Sequence, residues 1–237
     1  LQQLIIENNR TNAQIKAILE LPDRHASRLL RSLHNSRSQL GQDLFVLSEL
    51  NLIRNGFFVE FGATNGVFLS NTYLLEKDFG WTGILAEPAK RWHKDLRSNR
   101  TCHIDTDCVW CDSNSTLIFN EVDSAELSTI DMYCSSDSHR QARKRGKTHR
   151  VKTISLADLL DKYQAPKEID YLSIDTEGSE YEILSAFNFG KYRFKTITCE
   201  HNFRPTREKI FSLLTRNGYV RKLERLSHFD DWYTNIE

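Results

Sequence analysis

The stretch FFVEFGATNG, residues 57–66, has the pattern of a buried strand that runs into a glycine turn. Four of its first five residues are phenylalanine or valine, as a strand buried on both faces requires. Gly62 and Gly66 bracket the turn, and an apolar helical pattern starts at Val67. Because glycine lacks the Cβ that would keep a ligand away from the backbone, this layout indicates a nucleotide-binding crevice. An ordinary turn between a strand and a helix is the alternative.

A second apolar strand supports the nucleotide interpretation. The segment GILAEP, residues 83–88, contains Glu87, which follows Gly66 by 21 residues. An acidic residue at the tip of this strand is placed to accept hydrogen bonds from the two hydroxyls of a ribose. The turn lacks the full G-x-G-x-x-G pattern, so the tight helix N-terminus that cradles a pyrophosphate is not expected. A nucleoside without phosphates fits the pattern better.

Five segments, taken in order, carry a more specific resemblance. They are SQLGQDLFVL (38–47), FVEFGATNGVFLSNTYLLEKDFGWTGILAEP (58–88), IDYLSIDTEGSEYEIL (169–184), ITCEHNF (197–203) and FDDWYTN (229–235). Together they resemble the FkbM family of S-adenosylmethionine-dependent methyltransferases over roughly residues 38–236. The resemblance implies S-adenosylmethionine as cofactor and O-methylation, mostly of sugars or polyketide-type natural products.

Strand and helix patterns alternate along the chain, which predicts an open, mostly parallel α/β sheet. The resemblance makes this the seven-stranded sheet of the Rossmann-like class I methyltransferase fold, with helices on both faces and an antiparallel last strand. We predict an N-terminal helical segment or linker over residues 1–37 and the methyltransferase domain over residues 38–237.

The N-terminal segment has helical periodicity. Ile15, Ile18 and Leu19 form one apolar stripe, and Pro22 marks a break before a second helix. Since the only methionine is Met132, we expect a processed product or a piece of a larger polypeptide, such as one with glycosyltransferase domains.

The amino-acid composition argues against several classes of protein. Lys+Arg and Asp+Glu are both 32, and this neutral balance argues against a nucleic-acid binder. No apolar run approaches the ~18 residues of a membrane span. Five cysteines without a disulfide framework suggest reduced thiols and a cytoplasmic setting. The pair Cys108 and Cys111 lacks a second well-spaced pair, so no structural zinc site is expected.

The predicted cofactor residues share a position in the glycine turn, just after it, or at the tips of strands. They are Glu60, Gly62, Ala63, Gly66, Ser70, Asn71, Glu87, Pro88, Asp107, Cys108 and Asp175. Ser70 and Asn71 can equally be solvent-facing polar residues, or contact the acceptor. The resemblance adds Gln42 and Asp43 as candidates for lining the mouth of the cofactor site.

Asp175, Glu177 and His201 are the predicted catalytic residues, because they follow two strands that are expected to be neighbours. A sugar hydroxyl is a poor nucleophile, so a general base within hydrogen-bond reach helps. We predict that His201 is that base, with Asp175 or Glu177 orienting it, since histidine titrates near neutral pH. Each residue also has a structural alternative: cofactor binding for Asp175, helix capping for Glu177 and a loop contact for His201. A divalent cation held by Asp175 and Glu200 is a further alternative.

The segment CSSDSHRQARKRGKTHR, residues 134–150, is strongly basic. It is either a solvated loop or a lid that attracts an anionic acceptor such as a phosphate-bearing glycan carrier.

The chain as a whole is predicted to be an O-methyltransferase for a sugar hydroxyl in a glycan or glycosylated metabolite. Alternatives are methylation of a lipid or polyketide hydroxyl, an NAD-dependent sugar oxidoreductase, and a non-catalytic nucleoside-binding appendage of a glycosyltransferase. The oxidoreductase is disfavoured because G-x-G-x-x-G is absent.

Overall fold

The computed structural model describes residues 2–122, 128–130 and 146–236 of the chain. The helices of this part are α1 (Gln2–Glu20), α2 (Asp23–Ser32), α3 (Gln42–Glu49), α4 (Tyr73–Phe79), α5 (His93–Asn99), α6 (Leu156–Lys162), α7 (Glu180–Ser185), α8 (Arg207–Arg216) and α9 (Glu224–Ser227), with a 3₁₀ turn at Lys90–Trp92. The strands are β1 (Phe57–Phe61), β2 (Thr82–Ala86), β3 (His103–Asp105), β4 (Cys108–Trp110), β5 (Thr116–Glu121), β6 (Thr129–Ile130), β7 (Lys147–Ser155), β8 (Glu168–Ile174), β9 (Arg193–Glu200), β10 (Tyr219–Lys222) and β11 (Asp230–Asn235).

The main sheet has seven strands in the order β10-β11-β9-β8-β1-β2-β3. Six strands run parallel, and β11 pairs antiparallel with both of its neighbours. This confirms the predicted class I methyltransferase architecture, including the antiparallel last strand. The strand order reverses between β1 and β8, and ligands of such sheets bind at that reversal, beyond the carboxyl ends of the strands.

Residue alternation along the strands builds an apolar core on each face of the main sheet. Val59 and Phe61 of β1 pack in one cluster with β8, β9 and α6, whereas Phe58 packs in another with α3 and α4. The two clusters follow from the period of two in strands, which sends successive side chains to opposite faces. The strand predicted from residues 57–61 is therefore buried on both faces, as its composition indicates.

A second sheet, in the order β4-β7-β5-β6, was not predicted. The chain turns back after β4 without a helix, so β5 pairs antiparallel with β7, and β4 pairs parallel with β7. The pairing of β5 with β7 joins residues far apart in the chain and leaves no local trace in the sequence. This sheet stands beside the carboxyl end of β2 and closes one side of the crevice.

The N-terminal helices pack on the main domain. The break at Pro22 is confirmed, since α1 ends at Glu20 and α2 begins at Asp23. The predicted apolar stripe of α1 is wrong in part. Ile18 is buried, but Ile15 and Leu19 are exposed, and the buried face of α1 includes Gln14, whose Nε2 donates to the Oγ of Ser36.

Helix α3 is buried from Gln42 to Ser48, and one further local prediction differs from the structure. The helical pattern after Gly66 does not form a helix until Tyr73, because residues 67–72 make an irregular loop with a left-handed backbone at Leu69.

The predicted lid residues Arg140, Arg143, Lys144 and Arg145 lie outside the described residues. Within the described part of the chain, no helix combines the length and the apolar character needed to cross a membrane.

Candidate active site

A cavity of about 340 Å³ lies at the carboxyl ends of β1, β2, β8 and β9, where the strand order reverses. Residues of β4, β5 and β6 form one of its walls. The cavity thus has an apolar end against the second sheet and a polar end beyond β8 and β9. This polarity determines what each part of the cavity can bind.

Gly62 forms the floor of the cavity between β1 and β8. Its backbone is left-handed, with φ of 72°, and a Cβ placed on it would lie 2.1 Å from the carbonyl oxygen of Asp175. Only glycine allows the two strand ends to approach this closely. Gly66 also has a positive φ, but a Cβ there would meet the side chains of Arg100 and Leu96, so its role is in packing against α5.

Glu87 is buried at the tip of β2 and lines the cavity. Its Oε2 accepts a hydrogen bond from the backbone N–H of Thr64 at 2.8 Å, and its Oε1 accepts one from Ala89 at 2.7 Å. Burial raises the pKa of this carboxyl to about 7. A carboxylate offers about four acceptor positions, so Glu87 retains capacity for two more donors.

The apolar end of the cavity is formed by Pro88, Cys108, Val109, Phe119 and Ile130. All of them except Pro88 come from the second sheet and are buried. Burial raises the pKa of the Cys108 thiol to about 12, so this side chain is a neutral part of the wall. A flat apolar ring fits such a surface.

Three carboxylates meet at the polar end of the cavity: Asp175 after β8, Glu177 in the following turn and Glu200 at the end of β9. One oxygen of each lies within 4.8 Å of the other two. Burial, followed by the charge of Glu177, raises the pKa of Asp175 well above its ordinary value. Burial and the charge of Asp175 do the same for Glu200.

Hydrogen bonds from neighbouring residues hold Glu177 and Glu200 in place. Asn202 Nδ2 donates to Glu200 Oε2 at 2.8 Å and to Glu177 Oε2 at 3.3 Å. Arg204 donates to the backbone oxygen of Glu177 at 2.9 Å, and Glu180 Oε1 accepts from the N–H of Gly178. The Oδ1 atom of Asp175, in contrast, is buried and accepts no hydrogen bond from the described residues.

This arrangement can take up a proton from a hydroxyl, because a buried carboxylate with a raised pKa is a better base than an exposed one. Three carboxylate oxygens are also the donor set that hard divalent cations prefer.

The structure does not bring His201 into the cavity. Its side chain is buried, its Nε2 hydrogen-bonds the backbone oxygen of Asp230 at 3.1 Å, and its Nδ1 accepts from the N–H of Phe203 at 3.0 Å. Burial lowers the pKa of this histidine. With both ring nitrogens bonded to the backbone, His201 cannot serve as the predicted base without breaking the turn that it holds. The position of Asp175 and Glu177 agrees with the prediction, and Glu200 takes the place expected for His201.

Glu60, Ser70 and Asn71 also lie outside the cavity lining, behind its wall. Glu60 Oε1 accepts from the N–H of Asn71 at 2.7 Å, and its Oε2 accepts from Ser70 Oγ at 3.0 Å and from Thr72 Oγ1 at 2.5 Å. The guanidinium of Arg100 lies 3.9 Å from the same carboxylate. These contacts fix the loop before α4.

Other predicted residues are near the cavity but do not line it. Ala63 is buried in the turn, and the N–H of Asp107 donates to Asp105. Gln42 donates to Asp230 at 2.8 Å, and Asp43 accepts from Ser38 and so ties the N-terminal segment to α3. Of the predicted cofactor residues, the structure places Gly62, Glu87, Pro88, Cys108 and Asp175 around the cavity.

Several lining residues escaped the sequence analysis. Thr64 lies inside the predicted glycine turn, so its backbone contact with Glu87 had a local signal. Asn202 follows the predicted acidic strand end directly. No local signal in the sequence pointed to Phe119 and Ile130, because their approach to the cavity depends on the second sheet.

The comparisons with known proteins agree with this architecture. The family model described as the methyltransferase FkbM domain matches residues 60–233, about three quarters of the chain. No curated protein sequence matches the chain.

Solved structures of low sequence identity also match. A precorrin-6y C5,15-methyltransferase from Geobacter metallireducens GS-15 is 14% identical, with a TM-score of 0.42, over 85% of this chain and 90% of that one. A methyltransferase FkbM from Methylobacillus flagellatus KT is 12% identical, with a TM-score of 0.45, over 95% of this chain and 58% of that one.

Proposed function

The chain belongs to the FkbM methyltransferase family, and on this premise we propose that it uses S-adenosylmethionine to methylate a hydroxyl oxygen of a sugar. The observation that carries the proposal is the division of the cavity into an apolar end, a buried acid with free acceptor capacity and a cluster of carboxylates. The acceptor class rests on the family resemblance and on the polar end of the cavity.

The residues present fit the cofactor. The buried Oδ1 of Asp175 has no partner among the described residues, and Asp175 lines the cavity. An unpartnered buried oxygen of this kind calls for a ligand with donor groups or positive charge. The described residues that follow the glycine turn form a loop up to Tyr73, an arrangement that suits a nucleoside without phosphates.

Each end of the cavity would hold a different part of the nucleoside. The wall formed by Val109, Phe119 and Ile130 would pack against the adenine ring, and Glu87 would accept hydrogen bonds from the ribose hydroxyls. Bound S-adenosylmethionine supplies a methyl group activated by a positively charged sulfur. The carboxylates at the polar end favour that charge.

The carboxylate cluster would position and deprotonate the acceptor. Asp175 and Glu200 repel each other when both are ionised, so one proton between them is favoured at neutral pH. The remaining carboxylate can accept the proton of a hydroxyl that enters the polar end. Asn202, already bonded to Glu177 and Glu200, fixes their orientation.

Calorimetric titration with S-adenosylmethionine tests the cofactor assignment. The Glu87→Gln variant keeps the shape of the side chain but removes its charge. The binding free energy should therefore weaken by roughly 1–3 kcal/mol, the contribution of a charge-assisted hydrogen bond. Glu168→Gln is the matched control, because Glu168 is exposed at the opposite end of β8.

Wild-type affinity in the Glu87 variant would contradict the site, and tighter binding of NAD than of S-adenosylmethionine would contradict the function. Methyl transfer to a panel of methyl glycosides, aliphatic alcohols and phenols then distinguishes a sugar acceptor from a lipid or polyketide one. Cofactor binding without turnover on any member would favour a non-catalytic appendage.

A further inference from the structure

Phe203 is unusual among the aromatic residues of the chain. All 13 phenylalanines lie in the described part, and Phe203 alone is exposed, with 66% of its surface accessible. An isolated exposed apolar residue needs no explanation. Phe203, however, directly follows Asn202, which lines the cavity, and a hydrogen bond and aromatic contacts fix its position.

The backbone holds Phe203 in a strained conformation. Asn202 and Phe203 have φ of 43° and 56°, in the left-handed region that bulky residues rarely adopt. The N–H of Phe203 donates to His201 Nδ1, and the N–H groups of His201 and Asn202 both donate to the backbone oxygen of Phe229. The turn is thus anchored to β11 on one side and to a buried histidine on the other.

Aromatic contacts connect Phe203 to the cavity wall. Its ring packs edge-to-face against His201 at 5.4 Å and against His228 at 5.6 Å between centroids. His228 in turn packs against Phe229 at 5.7 Å, and Phe229 lines the cavity. Edge-to-face packing is a preferred geometry of aromatic rings, and it holds the ring of Phe203 while leaving much of its surface in solvent.

A flat apolar surface therefore lies beside a polar one. The amide of Asn202, one residue away, bonds to two of the three carboxylates of the cluster. A ligand that satisfies both surfaces needs an apolar face and a polar edge. A pyranose ring has this form, because its axial C–H bonds make an apolar face and its hydroxyls project from the edge.

We propose that Phe203 is the stacking platform for a pyranose ring of the acceptor, which brings a ring hydroxyl toward Asp175, Glu177 and Glu200. This inference rests on the proposed function and specifies its acceptor. An acyl chain would need a continuous apolar track. Among the described residues of 200–204 and 227–231, Phe203 is the only exposed large apolar side chain.

Saturation-transfer difference NMR tests the platform without turnover. The cofactor site is filled with S-adenosylhomocysteine, and the protein is irradiated at an upfield frequency at which no probe resonates. The probes are methyl β-D-galactopyranoside, methyl α-D-mannopyranoside, hexanol and catechol. The ring C–H protons of at least one pyranoside should receive saturation in the wild type. That signal should fall at least fivefold in Phe203→Ala and Phe203→Leu, and it should persist in Phe203→Trp. Val220→Ala, at an exposed site on β10, is the matched control.

The outcomes separate the platform from the cofactor site. Calorimetry with S-adenosylhomocysteine should give the same affinity for the wild type and the Phe203 variants. If the wild type fails to bind this nucleoside, the proposed function itself is overturned. If the nucleoside binds but no pyranoside does, or if pyranoside signals are equal in Phe203→Ala and the wild type, the platform is overturned alone. Phe203-dependent signals from hexanol or catechol only would overturn the pyranose assignment.

Discussion

Replacing Gly62 with alanine tests the junction of β1 and β8, on which both the sheet and the cavity depend. Gly62 has φ of 72°, and the Cβ of an alanine would lie 2.1 Å from the carbonyl oxygen of Asp175. Real Cβ atoms essentially never come within 3.0 Å of such an atom. The two strand ends must therefore separate, because the clash is with backbone and no side-chain rotation relieves it.

The expected loss in the free energy of unfolding is the sum of two contributions. The strand ends must separate by roughly 0.9 Å, and overpacking of this kind destabilises a core by about 1–3 kcal/mol. A left-handed backbone adds about 1–2 kcal/mol for a residue with a Cβ. Together these predict a loss of about 2–5 kcal/mol in the free energy of unfolding. For a chain of this length, that corresponds to a fall in Tm of roughly 5–20 °C.

Thermal unfolding and calorimetric titration with S-adenosylmethionine measure the two consequences. We expect the Gly62→Ala variant to unfold at a lower temperature and to lose cofactor affinity, since Asp175 moves with its carbonyl. Gly190→Ala is the control, because its Cβ would meet only the side chain of Asn188 at 3.1 Å. A Gly62→Ala protein with the Tm of the control and unchanged affinity would refute the proximity of Gly62 to Asp175.

Two further predictions concern protonation. Asp175→Asn should lower the turnover number by roughly 10²–10⁴, the usual range for losing a general base, whereas His201→Gln should lower it less than about tenfold. The turnover number of the wild type should be unchanged by EDTA. A tenfold or larger loss of turnover in EDTA would indicate that the carboxylates bind a cation instead. Burial raises the pKa of Glu87 from 4.5 to about 7, so protonation of this carboxyl stabilises the folded free protein. The stabilisation is fully present below pH 4.5 and is lost as the pH rises through about 7. Ribose hydroxyls need the ionised form, so affinity for S-adenosylhomocysteine should fall by up to about tenfold per pH unit below 7 in the wild type. Calorimetry across pH should show no such slope in Glu87→Gln, and a slope that persists there would place the titrating group elsewhere.

Local patterns predicted the parts of the fold that depend on local physics. The strand at 57–61, its glycine turn and the strand that ends before Glu87 are each defined by burial on both faces and by glycine. The sheet formed by β4, β5, β6 and β7 depends instead on pairing between residues far apart in the chain, such as Phe119 with His149. Strands β5 and β7 are half-exposed, so hydrophobicity alone did not assign them to a sheet or place Phe119 at the cavity.

The position of His201 outside the cavity has an equally simple cause. The sequence showed a strand that ends in Glu200 and His201, and either side chain was a candidate for the crevice. Successive side chains at a strand end point to opposite sides, so only one of the pair can reach the cavity. The register of β9 with β8 and β11 decides which one, and it directs Glu200 to Asp175 and His201 to the backbone of Asp230.

The three acids at strand ends show why position alone does not define a site residue. Glu60, Glu87 and Glu200 are all buried, and burial raises the pKa of each. The oxygens of Glu60 are occupied by a loop and lie near the buried guanidinium of Arg100, so no acceptor capacity is directed to a ligand. Within the described part of the chain, the carboxylate of Glu87 has two backbone partners, and Glu200 faces a second carboxylate that competes for the same proton. Arg100 lies 40 residues from Glu60, so the feature that separates a structural acid from a functional one is a tertiary contact. The number of partners of each buried carboxylate, and not its distance from a strand end, is therefore the basis on which we propose Glu87 and Glu200 as site residues.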